Sequence, residues 1–197
     1  TTVSLDGGAS TRALAADGKK TFAVGDKIAV VYMNTSSEKV KAESNALKST
    51  DITNSGKSAQ FTVTLTNPDK SGDVSYYYPA TTRVSSESWD LNEIYQYQDG
   101  TLETLGSKAD LCSGSGSWNN GNHPTVTLNN EVAILAITLK DNTGSSDITS
   151  TITNLTIVTK TESNYGQYHD YKVKRKAAAG PIYVAIFPRQ DYDVIDL

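Results

Sequence analysis

Gln60-Phe61-Thr62-Val63-Thr64-Leu65-Thr66 alternates polar and apolar residues without a fault. That is the period of a β-strand with one face on a core and one in water. Similar runs lie to either side. Segments 28–33 and 133–139 are more continuously apolar, as in strands covered on both faces. Segments 151–159 and 181–187 add two more, and Val3-Ser4-Leu5, 75–78, 94–97 and 126–128 read as shorter strands. Turn chemistry separates them: Asn67-Pro68-Asp69, Asp141-Asn142-Thr143-Gly144 and Ala179-Gly180-Pro181. Asp99-Gly100, between Tyr97 and Leu102, predicts a hairpin. Helical periodicity is weak, and 37–47 allows a helical turn or two at most.

Composition points the same way. The 197 residues are 37% hydrophobic and 20% charged, with eleven Tyr against three Phe, one Met and one Cys. Tyr, together with β-branched Thr, Val and Ile, favours pleated, half-buried surfaces. The fold class read from the sequence is all-β, with two sandwich domains in succession. Their boundary is placed in the Ser/Gly/Asn stretch 112–124, which gives domains 1–124 and 125–197. The second has room for some five strands, so an unfilled edge or groove is expected there.

Charge and cysteine count exclude several classes. The net charge is −4, and the densest basic cluster, Lys172, Lys174, Arg175 and Lys176, is short. Nucleic-acid binding needs broader phosphate neutralisation and is not expected. Cys112, being alone, makes neither an intramolecular disulfide nor a cysteine-rich metal site. No apolar run approaches the ~20 residues of a membrane-spanning helix. The start at Thr1, without Met or leader, fits an exported chain whose signal peptide has been removed.

Catalytic constellations are missing from the pattern. His123 and His169 have no Gly-x-Ser-x-Gly elbow to accompany them, and Cys112-Ser113-Gly114-Ser115-Gly116 lacks the strand–turn–helix setting of a nucleophile. Metal ligation fails on count and spacing, and the Asp141 turn is too short for an EF-hand loop. Asp90, Glu93, Glu103 and Asp110 supply carboxylates that no sequence spacing pairs. The expectation is a chain that is not an enzyme and holds no cofactor or metal. Aromatic residues offer another route to function: Trp89 and Trp118, with Asn119 and Asn120, suit the faces and hydroxyls of a glycan.

Several segments in order resemble the fimbrillin-like proteins of Bacteroidales, the type V pilins and their accessory subunits. They are Ser10-Thr11-Arg12-Ala13, then Phe22-Ala23-Val24-Gly25-Asp26-Lys27-Ile28, then Ser75-Tyr76-Tyr77-Tyr78-Pro79. Ala109-Asp110-Leu111, Val126-Thr127-Leu128 and Ala133 to Leu139 follow, and last comes Ile182-Tyr183-Val184-Ala185-Ile186-Phe187-Pro188. The family's usual His ahead of its Ala-rich strand is replaced here by Asn129-Asn130-Glu131.

The resemblance implies two transthyretin-like β-sandwich domains and further terminal strands after Leu197, so that 125–197 is an incomplete second domain. It implies export as a lipoprotein, outer-membrane attachment through a removed leader, and a place at the cell surface in a fimbrium. It also implies partners that are other pilus subunits, joined by donor-strand exchange. Arg12-Ala13 stands at the family's processing site, where an Arg-directed protease would release Val3, Ser4 and Leu5 as the displaced strand. Adhesion to a host or bacterial surface glycan or protein completes that expectation. The alternative is a monomeric surface protein that binds glycan through Trp89 and Trp118.

Overall fold

Short strands joined by turns make up most of this all-β chain, of which the computed structural model describes residues 2–5, 20–83, 85–119, 125–160, 169–176, 178–188 and 194–196. Among the described residues eight strands come first: β1 (Thr2–Leu5), β2 (Ala29–Met33), β3 (Lys39–Glu43), β4 (Ile52–Thr53), β5 (Ser58–Gln60), β6 (Ser71–Tyr78), β7 (Cys112–Asn119) and β8 (Val126–Asn130). They hydrogen-bond in the order β3-β2-β6-β7-β8-β1-β5-β4. The β7–β8 pairing is confined to Cys112↔Asn130 and Ser113↔Asn129, and there the sheet turns a corner. β3-β2-β6-β7 form one layer and β8-β1-β5-β4 the other.

Alternation explains why the layers face each other. Along β6, Val74, Tyr76 and Tyr78 are buried and the residues between them are not, as a period of two demands. They meet Val30, Tyr32 and Trp118 from their own layer, and Ala59, Val126 and Leu128 from the other, in one buried cluster. Phe22 closes it edge-on to Phe61 and Tyr78, with ring centroids 5.2 and 5.7 Å away.

A second cluster follows. It is built on β9 (Ala133–Ile137), β10 (Asn154–Lys160), β11 (His169–Lys174) and β12 (Ile182–Ile186), and β13 (Val194–Asp196) joins them by its backbone ladder. β9 pairs with β12, and β10 lies between β11 and β13, all antiparallel. Two short helices, α1 (Asn92–Tyr95) and α2 (Leu102–Thr104), and a π-helical turn (Leu105–Ala109) precede these strands in the chain. They contribute Ile94, Leu105 and Ala109 to the same core, beside Ile157, Tyr171, Ile182 and Val184. Gln98 is buried among them. Its amide donates to Ala185 O at 2.9 Å and accepts from Ala185 N at 2.8 Å, adding side-chain hydrogen bonds to β12 beside its ladder with β9.

Six expectations change. Residues 61–66 keep their alternating exposure but join no ladder beyond a bridge of Val63 to Ser44, so the strand ends at Gln60. Segment 94–97 is helical at its start, and Asp99-Gly100 leads into α2 instead of a hairpin. Segment 37–47 holds β3, not a helical turn. Most of the supposed interdomain loop 112–124, residues 112–119, is β7, paired with β6 along its whole length. The first sheet therefore continues through β8, past the expected division at 124/125. Finally, β9 is only partly buried, whereas its apolar run predicted cover on both faces.

Candidate functional site

The Phe22-to-Ile28 entry shows how local chemistry seats the first sheet. Gly25 has φ 93°, a left-handed value that glycine tolerates and other residues resist. The turn it makes buries Asp26, whose Oδ2 accepts from Ala23 N at 2.8 Å and from the Tyr78 hydroxyl at 3.1 Å. Asp26 thus fastens the β2 entry to the end of β6, where the Tyr78-Pro79 peptide is cis. Gly-Asp before an apolar strand, and Tyr before Pro, are two ends of one contact.

Within the second layer, β1 is paired on both edges. It runs antiparallel to β5, with Thr2↔Gln60, Val3↔Ala59 and Ser4↔Ser58. On its other side it runs parallel to β8, with Val3↔Val126, Ser4↔Thr127 and Leu5↔Leu128. A four-residue strand at the start of the chain therefore fills the gap between two later strands. Removing it would bare the inner edges of both β8 and β5, whose N–H and C=O groups would then lack strand partners. The expected displaced strand, Val3, Ser4 and Leu5, is the strand found in this seat. Arg12 and Ala13, the expected processing site, lie outside the described residues.

Next to this seat is an apolar cavity of about 190 Å³. Gln60, the ladder partner of Thr2, lines it together with Phe61, Val63 and Leu65 on one side and Val74, Tyr76 and Trp118 on the other. Residues 61–65 of the segment that follows the β5 ladder form one wall of it, opposite side chains of β6 and β7. Tyr32 ties the far end of that segment, its hydroxyl accepting from Thr66 N at 2.8 Å.

The residues predicted to contact glycan are not brought together. Trp118 is 8% exposed and packs within the first core, at the back of the cavity. Trp89 stands edge-on to Tyr77, 5.0 Å between centroids, with the Arg83 guanidinium over both rings. Tyr77 projects from the face of β6 opposite to Tyr76 and Tyr78, so the two tryptophans lie on opposite sides of one sheet. Asn119 is exposed at the end of β7, and Asn120 lies outside the described residues, as does His123.

The remaining candidates have ordinary places. His169 stacks on Tyr95 at 5.2 Å. Glu103 is exposed, whereas Asp110 is buried against Lys20. Cys112 is buried, and desolvation pushes its thiol up to about 12 despite the Lys20 charge, so it stays protonated and weakly nucleophilic. Asp141 Oδ1 accepts from the backbone N–H of Thr143, Ser145 and Ser146; hydrogen bonds, first that of the Thr143 side chain, hold its carboxyl below the usual value. That is an Asx-type turn. Among the described residues no cluster of three or more His, Cys, Asp or Glu is arranged to hold a metal ion, and no helix is long and apolar enough to cross a membrane.

Comparison with protein-family models, with curated proteins and with solved structures finds no match to this chain.

Proposed function

We propose that this chain is a non-enzymatic pilus subunit or cell-surface adhesin of fimbrillin type, with transthyretin-like sandwiches, which assembles through β-strand exchange. The observation that carries the reading is the seat of β1. A short N-terminal strand held by backbone ladders on both edges is the element whose release creates an acceptor. The incoming strand then regains two ladders of hydrogen bonds at once, the energetics of β-strand addition. Arg12 follows β1 within a few residues, so a cut there frees the strand without touching β2. Export, a lipoprotein leader and an outer-membrane location belong to this same reading.

Limited digestion with an Arg-specific protease, followed by intact mass and size measurement, tests it. Cleavage after Arg12 with growth of denaturant-resistant oligomers is the expected outcome. A clipped product that keeps its N-terminal peptide and stays monomeric would sink strand exchange.

A further inference from the structure

Between the two cores lies a group of polar side chains drawn from three distant parts of the chain. Lys20 is buried, its side chain 9% exposed, and its Nζ is in contact with Asp110 Oδ1, on a side chain 4% exposed. The same Nζ lies 2.8 Å from Asn130 Oδ1 and 3.7 Å from Cys112 Sγ. Cys112 and Asn130 are ladder partners across the β7–β8 corner, and the thiol donates to the same Asn130 oxygen at 3.4 Å. Asn130 itself is exposed on its outer side.

An amine that reaches both a carboxamide and a buried carboxyl brings together the components of amide exchange. We propose that Lys20 and Asn130 form an intramolecular isopeptide bond, with Asp110 as the proton-transfer group.

Nζ lies 2.8 Å from Oδ1, one bond from the Cγ it would attack, and a small shift of the amine onto the face of the carboxamide would bring it to the near-attack distance of about 3–3.5 Å. A charged pair out of water is costly, and the pair becomes neutral when the Lys20 ammonium gives a proton to the Asp110 carboxylate. Burial, opposed by the Lys20 charge and hydrogen bond, raises the Asp110 carboxyl above its ordinary value and favours that transfer. The amine lone pair then attacks Cγ, and the C=O electrons move to Oδ1, where the Cys112 thiol already donates. Asp110 passes its proton to the departing Nδ2 and takes one from the attacking Nζ. The Nζ–Cγ bond has formed, the Cγ–Nδ2 bond has broken, the proton first taken from the ammonium leaves in ammonia through the exposed side of Asn130, and the second proton taken from Nζ remains on Asp110. No oxidant or cofactor enters the balance.

Such a bond would tie the segment ahead of β2 to the end of β8 across 110 positions of sequence. It would pin the junction where consecutive residues Leu111 and Cys112 enter different cores.

The test is intact mass and peptide mapping of the full chain. The expected result is a mass lower than that of the sequence by one ammonia, a branched tryptic peptide joining Lys20 to Asn130, and no cleavage after Lys20. Asp110→Asn should restore the sequence mass while the protein still folds by circular dichroism. A wild-type mass equal to that of the sequence overturns the proposal and leaves a buried ion pair. Loss of one water with a Lys20–Asp110 branch overturns the assignment of Asn130. Loss of ammonia without a branch, as from a succinimide at Asn120-Gly121, overturns it as well.

Discussion

Asp26 and Asp99 show how single carboxylates hold this chain in different ways. Asp26 is 2% exposed and gathers Ala23 N and the Tyr78 hydroxyl. Asp26→Ala takes that acceptor from both donors, and a lost buried partner costs about 1–3 kcal/mol. Urea unfolding should show the midpoint fall by that loss divided by the slope, with the slope itself unchanged. Asp99 is closer to solvent. Burial raises its carboxyl, but hydrogen bonds from Thr104 Oγ1 at 2.6 Å, Thr101 Oγ1 at 2.8 Å and Thr101 N at 2.9 Å outweigh it and hold it below the ordinary 3.8. A depressed folded-state value contributes stability that is present above the unfolded value and lost as pH falls through the folded one. Stability should therefore decline as pH drops below about 3.8, and the decline should be shallower in Asp99→Asn. An acid limb identical in the two proteins would remove Asp99 from the account.

At the scale of elements, the β7–β8 corner explains both a prediction and a misreading. A Cβ on Gly114 would lie 2.4 Å from Thr127 O and 2.9 Å from a Val126 methyl carbon. The first obstacle is backbone, so it does not yield by a rotamer change. Gly114→Ala should cost about 1–3 kcal/mol as an overpacking substitution and speed amide exchange across β7 and β8. Gly144→Ala makes the useful contrast: its Cβ meets nothing within 4 Å, and only its φ of 74° opposes it, at about 1–2 kcal/mol. Exchange at the β7–β8 corner should be untouched there.

The same corner shows why Cys112-Ser113-Gly114-Ser115-Gly116 looks like a loop in sequence. Its glycines permit a close approach, and its serines face outward, so neither kind of residue carries a strand signal. The apolar runs of β2 and β12 were legible because steady burial leaves a continuous apolar run, whereas of β6 only 75–78 read as strand. Residues 61–66 show the limit of that signal, since alternation reports which side chains are covered and not whether the backbone has a ladder partner. Val3-Ser4-Leu5 was readable as a strand, but its two neighbours were not, and those neighbours give it its proposed role. Lys20, Asp110 and Asn130 were beyond reach, being 90 and 110 positions apart with no local pattern to join them.

For the whole molecule, the question is whether the two cores stand alone. The expected division at 124/125 cuts through both. β8, on the far side, completes the first sheet by pairing with β7 and β1. Ile94, Leu105, Ala109 and Leu111, on the near side, are fully enclosed in the second core. Gln98, from the same stretch, supplies the hydrogen bonds to Ala185 along β12. A fragment of residues 125–197 would lack four large or fully buried contributors to its core and would expose the β12 edge that Gln98 covers. Removing even one buried Leu or Ile costs about 2–5 kcal/mol, against a total stability of about 5–15 kcal/mol for a typical domain. The fragment should therefore stay unfolded, with collapsed amide dispersion in a nitrogen–proton correlation spectrum, whereas a fragment beginning at Ser88 should recover dispersed signals for β9 to β12. The intact chain should unfold in one transition, Trp118 fluorescence from the first core, read in a Trp89→Phe background, coinciding with tyrosine circular dichroism from both. Two separated transitions, or a folded 125–197 fragment, would show instead that the junction at Leu111-Cys112 joins independent units and that the second core tolerates the loss of its α1-to-π-turn wall.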